Sequence, residues 1–216
     1  MRKLLLLQIF AILCIAAYGQ ITPVDLKEMK SIATSPTYDQ LFQRFLQNDT
    51  ALTLTDYRTL YFGQAYRDDY RPYSRHDSIR ALNTYLNTVE NPDFNKVLTY
   101  TRLILKEFPF NLEQVFLTGI AYDKLNKKDQ ARIWLKKYEN LLTAIISTGD
   151  GRSAQTAFMV TKTSDEYNVI RAFRLKFTGQ SLIMENNHNY DKMDLEENEH
   201  GIEALYFNVD LFYGKL

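Results

Sequence analysis

The hydrophobic period of this chain changes once, and that change limits what the chain can fold into. Up to Ile146 the apolar residues recur three and four apart, the spacing of one helix face. Beyond Gly149-Asp150-Gly151 they alternate, the spacing of a strand with one buried face. Tyr38, Leu41, Phe42 and Phe45 set the helical rhythm. A segment from Thr55 repeats it with Tyr57, Leu60, Tyr61 and Ala65, and Ile79, Leu82, Leu86 and Val89 repeat it again before an Asn91-Pro92 turn. Thr22-Pro23 and Ser35-Pro36 have the form of helix starts, a capping hydroxyl followed by proline in the first turn.

The strongest internal order lies at residues 111–125 and 129–146, which read as two helices joined by the polar turn Asn126-Lys127-Lys128. Gly119, Tyr122, Ala131 and Leu135 fall where a tetratricopeptide-type hairpin places its small, aromatic, small and large packing residues. The two small residues let the helix backbones approach, and the larger pair fills the space beside them. Pro109 marks the end of a preceding repeat. One period upstream, about 34 residues, Tyr85, Val97 and Ile104 keep packing positions without the glycine or the alanine.

After the junction, Phe173, Leu175 and Phe177 alternate with Arg174, Lys176 and Thr178, and Leu205, Phe207, Val209 and Leu211 alternate with Tyr206, Asn208 and Asp210. Gly179-Gln180 fits a two-residue hairpin turn, and Asn186-Asn187-His188-Asn189 a longer one. A short helix begins near Ser164, with Asp165 and Glu166 in its first turn, where the helix dipole favours negative charge. The expected fold is α+β. A tetratricopeptide-like helical region spans 20–148, and a small antiparallel β-meander with one short helix spans 149–216 and packs on the helices.

The first residues carry the parts of a secretory signal: Arg2 and Lys3, an apolar run over 4–17 broken by Gln8, and small residues at Ala17 and Gly19. The run is shorter than the roughly 18 apolar residues of a spanning helix. Cleavage after Gly19 is therefore expected, leaving residues 20–216 in the periplasm or outside the cell with no transmembrane span. Cys14 is the only cysteine, and Leu13 precedes it where a lipoprotein signal has a small residue. A mature chain without Cys14 forms no disulfide and no thiolate metal site. Lys plus Arg and Asp plus Glu are equal at 26 each, so there is no electrostatic footprint for nucleic acid.

Tyr61-Phe62-Gly63-Gln64-Ala65-Tyr66 and Tyr70-Arg71-Pro72-Tyr73 give the chain a specific look. So do Ser147-Thr148-Gly149-Asp150-Gly151, Ala157-Phe158 through Asp165-Glu166-Tyr167, and Gly179-Gln180 with the late Tyr206-Phe207-Asn208. With these segments the chain resembles the domain of unknown function 4919 family, seen mainly in exported Bacteroidetes proteins. The resemblance implies export and the same two-part layout; it implies no reaction, cofactor or catalytic residue.

Tyr66, Arg67, Tyr70, Arg71 and Tyr73 are the candidates for a ligand- or partner-binding surface, since tyrosine offers rigid amphipathic area and arginine a fork for carboxylates. The same groups, with Asp68 and Asp69, would also serve as an internal clasp. Gly149-Asp150-Gly151-Arg152-Ser153 lacks the lysine and spacing of a phosphate loop and reads as a helix stop. His188, Asp191, Asp194, Glu196, Glu197, Glu199 and His200 alternate along a strand edge and do not converge as metal ligands. His76-Asp77-Ser78 is contiguous, unlike a catalytic triad.

No catalytic residue, metal or cofactor is expected. The leading expectation is a non-enzymatic envelope protein that binds another envelope protein or a peptide. The alternatives are a hydrolase or carbohydrate-active enzyme with unrecognised carboxylates, and self-assembly through an alternating strand over 202–213.

Overall fold

The computed structural model describes residues 21–215, and the expected signal segment with Cys14 lies outside them. Among the described residues, seven α-helices precede the junction: α1 Leu26–Ala33, α2 Pro36–Leu46, α3 Leu54–Gly63, α4 Ser78–Thr88, α5 Phe94–Glu107, α6 Leu112–Lys124 and α7 Lys128–Ile146. Ser35-Pro36 opens α2, with proline in the first turn. Thr22-Pro23 opens nothing. Asp25 caps α1, accepting from the backbone N–H of Lys27 and Glu28 at 2.9 and 3.0 Å. The backbone of Thr22 is used elsewhere: its N–H donates to Ser147 at 2.9 Å and its carbonyl accepts from Arg58 at 2.7 Å, which lays the chain along the end of α7.

A reciprocal capping box between Thr53 and Asp56 starts α3. This helix is the hub, because Tyr57, Leu60, Tyr61 and Phe62 are all buried on it. Asn111 caps α6, and Asn126 turns the chain into α7 in the left-handed region at φ 57°. The helices then meet at the expected residues. A Cβ on Gly119 would lie 2.8 Å from Leu135 Cγ and 3.2 Å from its backbone nitrogen, so the approach requires glycine. The worn repeat keeps its core in a satellite cluster of α4, α5 and α6, where Val97 and Ile104 are buried.

Beyond the junction come β1 Phe158–Met159, α8 Thr163–Ala172, β2 Phe177–Glu185, β3 His188–Leu195 and β4 Ala204–Asn208. The sheet order is β1-β4-β3-β2. Strands β2, β3 and β4 form the antiparallel meander, and the short β1 adds to β4 in parallel, making the sheet mixed. Asn186 and Asn187, at φ 51° and 62°, form the β2–β3 turn, a two-residue connection of the kind that matches strand twist.

Three local expectations are corrected. Gly179-Gln180 is no turn: it lies inside β2, with a register irregularity between Phe177 and Gly179. The alternation at 173–176 belongs to the end of α8, where Arg174 turns left-handed at φ 57° and the N–H of Leu175 reaches back to Ile170 at 3.0 Å. That capping motif buries an apolar residue just past the helix, so its pattern mimics a strand. Finally, the strand in 202–213 stops at Asn208 and lies between β3 and β1. It is paired with β3 along its length and with β1 at Phe207 and Asn208.

The main core is continuous across the junction, running from Phe45, Leu60 and Phe62 through Ile145 to Phe158, Met193, Phe207 and Phe212.

Candidate functional site

The chain leaves α3 through a 3-10 turn, Gln64–Tyr66, and enters the tyrosine- and arginine-rich loop at 67–75. Every candidate side chain there has an internal partner. Arg67 donates to the Ala33 carbonyl at 2.9 Å, pairs with Asp39 at 3.1 Å and stacks on Tyr38. The Tyr70 hydroxyl donates to the Thr161 carbonyl. Arg71 donates to the carbonyls of Asp68 and Tyr70, and Tyr73 to that of Phe212 at 2.9 Å. The Lys215 ammonium donates to the Ala65 carbonyl and sits 5.5 Å from the Tyr66 and Tyr70 ring centres.

Four of these five residues, Arg67, Tyr70, Arg71 and Tyr73, line a cleft of about 680 Å³. Tyr66 is not part of the lining. Opposite the loop, α8 presents Ser164, Tyr167, Asn168 and Arg171, with Lys162 just before it, and the α5–α6 corner supplies Phe108 and Phe110. The cleft therefore lies where the helices meet the C-terminal part of the chain. Its mix of rings and a few charged groups suits a ligand site.

Behind the cleft lies a cluster that residue spacing did not reveal. Asp165 and Glu166 occupy the first turn of α8, as expected, but both are fully buried. The Tyr61 hydroxyl donates to Asp165 Oδ2 at 2.7 Å and accepts from the Thr161 N–H at 3.1 Å, joining α3 to α8. Burial raises the Asp165 carboxyl to about 6 against the pull of Lys162 and these hydrogen bonds. Burial, and then the charge of the neighbouring Asp191, raises Glu166 to about 10. Glu166 therefore keeps its proton at neutral pH and shares a hydrogen bond with Asp191, while Gln180 donates to Asp191 at 2.8 Å. Only the pairing of Asp191 with β2 and β4 brings it to α8, so the separation of these residues along the chain conceals the cluster.

Lys137 is the second hidden group. Its ammonium donates to the Phe45 carbonyl at 2.8 Å and Asn48 Oδ1 at 2.6 Å, lies against the rings of Phe45 and Trp134, and closes the end of α2. Burial lowers it to about 7.

The remaining motifs have local roles. In the Gly149 loop, Asp150 Oδ1 accepts from the Arg152 N–H and the Thr156 hydroxyl, and backbone from Thr156 and Ala157 fills the space beside Gly149. His76 Nδ1 accepts from the Ser78 N–H at the start of α4. Strand β3 is interior, which corrects the edge reading. Its Asp194 pairs with Lys192, Glu196 beyond it pairs with Lys176, and His188 pairs with Asp210 at 2.5 Å. Among the described residues there is no group of three or more His, Cys, Asp or Glu that could hold a metal, and no helix is long and apolar enough to cross a membrane.

These features define an α+β protein with a tetratricopeptide-like helical region, a small mixed sheet and a cleft at their junction. The chain belongs to the family described as Domain of unknown function (DUF4919), whose model matches residues 26–214. No curated protein and no solved structure matches it.

Proposed function

We propose that this chain is an exported, non-enzymatic binding protein of the cell envelope, and that its cleft between residues 67–75 and α8 takes a peptide segment of another envelope protein. The observation that carries this reading is the cleft wall itself. Arg67, Tyr70 and Tyr73 are anchored on Ala33, Thr161 and Phe212, while Tyr73 still exposes half of its surface and Arg71 is exposed. The clasp and the binding surface are then the same device. A loop tied down in advance loses little entropy when a ligand arrives. Helical hairpins of this type also build concave peptide-binding faces. Export is supported by Arg2, Lys3 and the apolar run that follows them.

A photo-crosslinking amino acid at position 73, in the intact chain expressed in its own cells, is expected to trap discrete adducts. The same group at the exposed Met184 of β2 is expected to trap none of them. Equal adducts at both positions, or none at either, would refute cleft binding.

A further inference from the structure

The charges lining the cleft are unequal although the whole chain is balanced. Arg67, Arg71, Arg75, Lys162 and Arg171 face it, against Asp69, Glu107 and Glu113. Existing pairs engage some of these. Arg67 is held by Asp39, Arg171 by Glu113 at 3.4 Å, and Glu107 lies 3.8 Å from His76. What remains is Arg71, Arg75 and Lys162 against Asp69 and Glu107, with Lys162 also attracted to the buried Asp165 behind the wall; among the described residues none of these three cations makes a salt bridge to a carboxylate. Arg71 and Arg75 are exposed on the loop, and Lys162 lies half-buried on the opposite side beside α8. The surplus thus faces the cleft from both walls. Two of these residues are arginines, whose planar fork receives a carboxylate through paired hydrogen bonds, and low-dielectric walls strengthen such contacts.

We infer that the segment accepted by the cleft is an acidic peptide, with aspartate or glutamate side chains meeting Arg71, Arg75 and Lys162 while apolar side chains lie against Tyr73, Phe108 and Tyr167. This inference rests on the peptide reading of the cleft proposed above. Its ligand is identified by charge complementarity, which governs encounter rate and rejection of wrong partners more than raw affinity. Like-charged, lysine-rich segments would be excluded by the same three cations.

Selection of random displayed octapeptides on the intact chain tests it. The expected pool is several-fold enriched in aspartate and glutamate, and its synthetic peptides bind about tenfold more weakly to the double variant R75A/K162A, the scale of losing charge-assisted hydrogen bonds. Binding should also weaken with added salt. A pool that is neutral or basic, yet still sensitive to a bulky substitution such as Ser164→Trp in the cleft, would overturn the acidic assignment and leave the peptide-binding reading standing. A pool with no enrichment would overturn both.

Discussion

Replacing Gly149 with alanine is expected to destabilise the protein by about 3 kcal/mol or more, at the upper end of what overpacking costs. At this chain length each kcal/mol moves the melting temperature by roughly 2–4 °C, so a fall of about 6–12 °C should appear in a calorimetric scan. The cause is contact with backbone. A Cβ at this position would lie 2.0 Å from the Thr156 carbonyl oxygen and 2.8 Å from that of Ala157. The Thr156 carbonyl is held in place, because it accepts from the Gly151 N–H at 2.8 Å and the Gly151 carbonyl accepts in turn from the Tyr206 N–H of β4. On the other side of the same turn, Thr148 holds the N–H of Met159. The loop therefore joins α7 to the sheet through bonds that a methyl group would force apart. Gly201→Ala is the control. Gly201 is left-handed at φ 60° with nothing within 4 Å of a Cβ, so only the conformational cost of about 1 kcal/mol applies. Equal losses in the two variants would show that the close approach at Gly149 is not real.

The second large effect is one of pH. Glu166 rises from an ordinary 4.5 to about 10 and Asp165 from 3.8 to about 6. Each binds its proton in the folded state at a pH where the unfolded chain has released it. The stability they contribute is full below the unfolded value and is lost as pH rises toward the folded one. Lys137 acts in the opposite sense. It falls from 10.5 to about 7, so between those values the unfolded chain holds the extra proton and stability increases with pH. The net expectation is a decline between pH 4.5 and 7 that flattens above 7, where Glu166 and Lys137 offset each other. At about 1.4 kcal/mol per unit for each group, Glu166 alone accounts for about 3 kcal/mol across the declining range. Glu166→Gln keeps the shape and can still donate to Asp191 without a titrating proton. In urea unfolding this variant should match the parent near pH 4.5 and exceed it by about 2 to 3 kcal/mol at pH 7. Identical pH slopes for the two proteins would mean that Glu166 is not held protonated.

The division of the fold was legible because periodicity reports which face is buried, and helices and strands differ in period. Gly119, Ala131 and Leu135 were legible for the same reason, since repeat packing places small and large residues at fixed offsets. The failures share a different physical origin. Leu175 alternates like a strand residue because a helix-terminating motif also buries an apolar side chain two positions on. Gly179 suggested a turn because glycine marks both turns and irregular pairing. Asp165 and Glu166 were placed on the correct helix turn, but sequence spacing cannot show that Tyr61 and Asp191 come from distant elements to meet them. In the candidate site, residues 67–75 were found through composition. The opposing wall of Lys162, Ser164 and Tyr167 was not, since only tertiary packing sets it against the loop.

Hydrogen exchange of the intact chain, alone and with an acidic peptide selected on it, measures the use of the cleft most directly. Amide exchange reports local opening, and a bound peptide suppresses opening where it sits. Slower exchange is expected at residues 67–75 and in the first turn of α8, with β2 unchanged. Slowing confined to β2, around the exposed Leu182 and Met184, with none at the loop, would place the peptide elsewhere and contradict cleft binding.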